Sequence, residues 1–128
     1  MKKQSLIFFL VFFILACHRS EQNRILKDEH VVEFLKKNGD KLIAPREVFH
    51  WIYFKTDKDA ENFKKEAEKK YFIFVSKSKV EENYPFLLGL KRVDKVDIKS
   101  VNEYSLYLLD LAEKHNGDYD GWETNVVK

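Results

Sequence analysis

Residues 116–123 read NGDYDGWE, which sets carboxylates at Asp118, Asp120 and Glu123 around a glycine. Alternating acidic residues followed by glycine begin an EF-hand loop, where glycine holds the sixth position and a bidentate glutamate the twelfth. Counted from Asn116, Gly121 is sixth, but the twelfth residue is Val127, which offers no ligand. The same residue types make a tight connection between a helix and an edge strand, with Asp120 bonding backbone amides of its own turn. The turn is the reading that the spacing favours.

A second chemistry would join Asp118 and Asp120 to His50 in a small hydrolase or metal-dependent enzyme, which requires the imidazole and the carboxylates to converge. The chain has 4 histidines, at 18, 30, 50 and 115, and no H-x-x-x-H or C-x-x-C spacing of a metal site. No serine lies in a G-x-S-x-G elbow. His50 alternates with Val48 and Ile52, as expected of a histidine beside the core with one ring nitrogen bonded to a neighbour. The expectation is a non-catalytic chain without metal or cofactor.

The single cysteine, Cys17, follows an apolar run from Leu6 to Ala16 that is itself preceded by Lys2 and Lys3. A short basic region, an apolar stretch of this length and a small residue before the cut describe a secretory signal peptide. About 20 apolar residues are needed to span a bilayer, so the run is short for a permanent span. Ile14-Leu15-Ala16-Cys17 resembles a bacterial lipobox, which implies lipidation, palmitate included, of Cys17 as the new N-terminus. The expected organisation is a signal peptide over 1–16, a lipidated cysteine and polar tether over 17–24, and one domain over 25–128. The expected place is the bacterial cell envelope, facing away from the cytoplasm. The full chain carries 23 Lys+Arg and 21 Asp+Glu; losing Lys2 and Lys3 leaves 21 of each. A neutral mature chain lacks the cationic excess that phosphate binding draws on, so nucleic acid is not an expected partner.

The elements that would position these residues follow from periodicity. Val31, Phe34 and Leu35 share a helical face over 25–38, and Gly39 stops it. Residues 47–54, EVFHWIYF, are aromatic and β-branched and predict a strand. Thr56 with Asp59 forms a capping box, and Ala60, Phe63 and Ala67 define a helix to about Lys70. Strands are predicted over 71–75 and 85–93, with a turn between. Ser100 with Glu103 opens a helix bearing Val101, Tyr104, Leu108 and Leu111, closed at Asn116-Gly117. A last strand is predicted over 122–127. After the first helix the order is βαββαβ, the split βαβ pattern of a ferredoxin-like α+β sandwich with a four-stranded antiparallel sheet.

The strand over 47–54 is apolar on both faces: Val48, Ile52 and Phe54 on one, Phe49, Trp51 and Tyr53 on the other. One set faces the helices, and the other needs its own cover. Candidates are the first helix, laid across the open face or an edge, or a second copy of the chain or a protein partner, since large apolar patches mark interfaces. Phe49, Trp51 and Tyr53 are thus the candidate partner-binding residues.

Two blocks together resemble the RraB family, regulators of ribonuclease E activity. One is Tyr119-Asp120-Gly121-Trp122-Glu123 after a helix ending Leu111-Ala112-Glu113-Lys114. The other is Asn38-Gly39-Asp40 followed by Arg46-Glu47-Val48, His50 and Tyr53-Phe54. The resemblance spans about residues 28 to 128. It implies the ferredoxin-like fold and a binding role without chemistry. The understood members are cytoplasmic and restrain ribonuclease E, whereas the targeting segment directs this chain to an envelope protein.

Overall fold

The computed structural model describes the backbone of residues 2–81 and 83–128, and side chains from Arg19 onward apart from Glu82. The lipidation expected at Cys17 therefore lies outside the described side chains. The elements run α1 (Lys2–Lys37), β1 (Arg46–Phe54), α2 (Asp57–Glu68), β2 (Ile73–Lys79), β3 (Phe86–Asp94), α3 (Ile98–Lys114) and β4 (Gly117–Glu123). The strands form one antiparallel sheet in the order β2-β3-β1-β4. This is the ferredoxin-like α+β arrangement, with β1 and β3 at the centre and an added N-terminal helix.

The residues of β1 alternate as expected. Arg46, Val48, His50, Ile52 and Phe54 are buried, while Phe49, Trp51 and Tyr53 are half-buried on the opposite face. The buried set meets Phe63 and Ala67 of α2, Leu88 and Leu90 of β3, and Val101, Tyr104 and Leu108 of α3. Helix α2 starts where its cap predicts: the Thr56 hydroxyl accepts from the Asp59 amide at 3.1 Å. For α3 the cap lies one turn earlier than predicted. Asp97 accepts from the Ser100 amide at 3.1 Å and from the Ser100 hydroxyl at 2.8 Å, because a carboxylate also complements the positive end of the helix dipole.

Four departures from the sequence expectations have local causes. Residues 18–24, expected as a tether, continue α1; Ser20 Oγ donates to Glu113 of α3 at 3.2 Å, and Arg24 is buried. The inner face of α1 is Arg24, Asp28, Val32 and Leu35, whereas Phe34 is 60% exposed. Half of that face is polar, so hydrophobic periodicity misses it. Strand β2 begins two residues late and runs through Lys79, into the segment expected as a turn. Tyr71, at φ 68°, reverses the chain after α2, and an edge strand tolerates the polar residues that follow.

The third departure is β4, which is residues 117–123 and not 122–127. Asn116 takes the left-handed conformation, φ 57°, and delivers the chain directly into the sheet. Tyr119 and Trp122 are both buried although three residues apart, because the register shifts opposite Trp51/Ile52. Gly121 makes that bulge possible at φ 144°, a conformation open to glycine. NGDYDGWE is thus strand and bulge, and Asp120 stands exposed on it and not inside a turn.

The fourth departure concerns the open face. Helix α1 packs antiparallel along α3, with contacts at Ser20–Glu113 and Asp28–Ser105, so all three helices share one side of the sheet. Among the described residues, no helix covers Phe49, Trp51 and Tyr53. The reason is again the polar inner face of α1, which finds its partners on α3 and β4.

Gly117 illustrates how closely β4 approaches the core. A Cβ there would lie 2.5 Å from Phe54 Cε1 and 3.0 Å from the Tyr53 carbonyl oxygen. Phe54 is itself fully buried against Phe63 and has little room to yield. Gly117→Ala is expected to lower stability by about 1–3 kcal/mol, the ordinary cost of overpacking, measured as a shift in the urea midpoint with unchanged slope.

Candidate functional site

The open face is built from alternate residues of four strands. Its centre is Trp51, whose indole lies over Gly89 of β3; a Cβ on that glycine would stand 2.6 Å from the ring. Trp51 Nε1 donates to Glu123 of β4 at 3.0 Å. The indole therefore bridges β3 to β4 as a flat, oriented platform. Phe49 and Tyr53 flank it along β1, Leu87 of β3 is half-buried nearby, and Lys91 pairs with Glu47 at 3.1 Å. An amphipathic aromatic surface with one polar rim pair has the composition of a protein-binding centre, where Trp and Tyr are enriched and charges lie outside.

Beneath the sheet, a buried polar cluster fastens this platform to the helices. Asp28 of α1 is fully buried and accepts from Arg24 Nε at 3.1 Å, from Trp122 Nε1 at 2.9 Å and from the Ser105 hydroxyl. Burial raises the Asp28 pKa, opposed by its bonds to Ser105, Trp122 and Arg24. The Arg24 guanidinium also reaches the Asp120 carbonyl at 3.4 Å and lies 5.3 Å from the Tyr119 ring centre. Tyr119 in turn bonds His50 Nδ1 at 2.7 Å. His50 Nε2 has no hydrogen-bond partner, and the ring packs edge-on to Phe72 and Tyr104. Burial, with the Arg92 and Arg24 charges adding to it, lowers the His50 pKa to about 3, so the imidazole is neutral.

A second clasp holds the chain end. Arg46 bonds both oxygens of Asp40, the Ala44 carbonyl at 3.0 Å and the Asn125 carbonyl at 3.0 Å, while the Val127 amide donates to Asp40 at 3.0 Å. These bonds, Arg46 first, hold the Asp40 carboxyl well below its ordinary pKa. Thr124 Oγ1 donates to the Glu47 carbonyl at 2.8 Å.

The residues singled out in the sequence thus divide by face. Arg46, His50, Phe54, Tyr119, Gly121 and Trp122 are buried scaffold; Glu47, Phe49, Trp51, Tyr53 and Glu123 belong to the open face. The hydrolase set is not assembled: His50 is fully buried on the helix side, whereas Asp118 and Asp120 are exposed on β4, with Tyr119 between them directed inward. Among the described residues no three of His, Cys, Asp and Glu are grouped to hold a metal ion. A cavity of about 410 Å³ lies between α3 and the end of β3, lined by Lys70, Arg92, Asp94 and Tyr104 among others. Its central cation is already satisfied, since Arg92 is bidentate to Asp94 and donates to the Lys70 carbonyl. Arg24, Asp28 and Ser105 escaped the sequence reading. The signal was their spacing, Arg24-Asp28-Val32-Leu35, which continues one helical stripe.

An aromatic sheet face supported by buried polar clasps defines a small ferredoxin-like binding domain. Its sequence places it further: residues 26–124 match the family model RraB, Regulator of ribonuclease activity B, and the chain belongs to that family. The family is one of regulators, and the fold is the one that the resemblance implied. No curated protein matches the chain.

Proposed function

We propose that this chain is a non-catalytic regulator that binds a protein of the bacterial cell envelope through the open face of its sheet, held at the membrane by lipid on Cys17. The observation that carries the binding role is the oriented Trp51 platform, half-exposed between Phe49 and Tyr53 because α1 packs elsewhere. A family of regulators supports it. The targeting segment and the lone cysteine support the location. Two or more acyl chains hold a protein at a membrane stably, each buried methylene contributing about 0.8 kcal/mol. Helix α1 engages α3 from Ser20, so a lipid on Cys17 would attach about 4.5 Å along the helix axis from the docked body. The domain would then sit against the bilayer, and its partner would be membrane-associated.

Labelling cells with a fatty-acid analogue, in wild type and Cys17→Ala, tests the anchor, and external protease added to spheroplasts tests the side. Cys17-dependent label on a protease-accessible domain is expected. An unlabelled, shielded domain would overturn the envelope location and turn the reading to regulation of a cytoplasmic ribonuclease, the role that the family's name favours. Trp51→Ala is expected to weaken partner capture by about 2 kcal/mol or more, as for a central aromatic anchor. Equal capture by the variant, measured with the fold verified by circular dichroism, would exclude the open face.

A further inference from the structure

The two edges of the sheet are treated differently. Beside β4 runs α1, whose Arg24 binds the Asp120 carbonyl, and the clasped residues 124–127 follow it. Strand β2 pairs on one side only, with β3. It also presents apolar side chains around that free edge: Tyr71 is 83% exposed, Ile73 57%, Phe74 42% and Val75 38%. A bare edge strand offers unpaired backbone donors and acceptors, and apolar side chains there add to its capacity to receive another strand.

Charge selects among occupants. Lysines stand at both ends of the apolar run, Lys69 and Lys70 before it and Lys77 and Lys79 after it. Lys77 is neutralised by Asp57 and Glu61, and Lys64, over the Phe74 ring, by Glu61 and Glu68. Lys69, Lys70 and Lys79 are exposed and form no ion pair among the described residues. A second copy fits poorly: antiparallel pairing of two β2 strands about Phe74 sets Lys69 of each opposite Lys79 of the other, and facing like charges destabilise a strand pair.

We propose that the free edge of β2 captures an extended segment of a partner protein as an added strand, and that this segment has an apolar centre with acidic residues on both sides. Backbone hydrogen bonds supply the attachment. Ile73 on the open face and Phe74 on the helix face receive alternate side chains, and Lys69, Lys70 and Lys79 set the choice of flanks. The inference rests on the protein-binding role above and specifies how the partner is gripped.

The test uses the full chain in detergent micelles and two synthetic peptides of nine residues. One alternates valine and threonine between paired glutamates, and the other carries paired lysines instead. Binding is read by fluorescence anisotropy and by amide hydrogen exchange. The glutamate peptide is expected to bind and to slow exchange within β2, and the double variant Lys69→Glu, Lys79→Glu to weaken it by about three- to tenfold. Both positions are exposed, so the fold should survive the change. Absence of binding, equal binding of the two peptides, or protection confined to β1 would overturn strand capture. So would a β2-protected dimer, seen by sedimentation, which would make a second copy the occupant. If the peptide fails while an open-face partner is still captured, strand capture alone falls and the binding role stands.

Discussion

Asp28→Ala is expected to destabilise the domain by about 3–5 kcal/mol, the cost of leaving one member of a buried ion pair uncompensated. The variant removes the acceptor of three donors at once: the Arg24 guanidinium, the Trp122 indole and the Ser105 hydroxyl. Arg24 cannot reach water without movement of α1, since only 6% of it is exposed. The loss should therefore appear first as detachment of α1 from α3, with amide exchange in residues 20–37 accelerating ahead of global unfolding. Asp28→Asn, which keeps an oxygen for Trp122 and Ser105 and loses the charge, should fall between wild type and alanine. Urea unfolding of the three proteins measures the series. An alanine variant within about 1 kcal/mol of wild type would mean that α1 is not fastened through this cluster.

His50 should make stability strongly dependent on pH. Its folded pKa is lowered from 6.5 to about 3 by burial and by the Arg92 and Arg24 charges, so between those values the unfolded chain binds a proton that the folded chain refuses. The contribution is fully present above the unfolded value and is lost as pH falls, at about 1.4 kcal/mol per pH unit for one such group. Asp40 adds to the loss only at lower pH, because its depressed folded pKa matters below its ordinary 3.8. Asp28, with its raised folded pKa, acts in the opposite sense as it protonates. Comparing wild type with His50→Gln between pH 7 and 4.5 isolates the histidine. The wild-type curve should be steeper by up to that slope, and parallel curves would show that His50 titrates normally in the fold.

Much of the fold was legible because its signals are local. The alternation in β1 predicted which of its residues face the helices and placed His50 beside the core, and Thr56 marked the start of α2. What stayed hidden depends on tertiary partners. Asp28 looks like one more charge in a polar segment until Trp122 and Ser105 surround it. The motif YDGWE was recognisable as a family feature, but its work was misread: Gly121 shifts register so that Tyr119 and Trp122 both point inward, and period-2 reasoning cannot find a strand that contains such a shift. The aromatic set Phe49, Trp51 and Tyr53 was identifiable, yet what covers it depends on where α1 packs. That choice was made by the polar stripe that hydropathy overlooks.

The motif residues therefore serve two ends. His50, Tyr119 and Trp122 brace the sheet against the helices, while Glu123, on the next position, orients Trp51 on the other side. Recognition and stability are joined across a single strand. The most direct test of binding through the open face is cross-linking in living cells, with a photoreactive amino acid placed at Phe49 on that face or at His30, exposed on α1. A discrete protein adduct from position 49, recovered with the membrane fraction and absent from position 30, is the expected result. No adduct at 49, or the same adducts from both positions, would contradict a regulator that works through this surface.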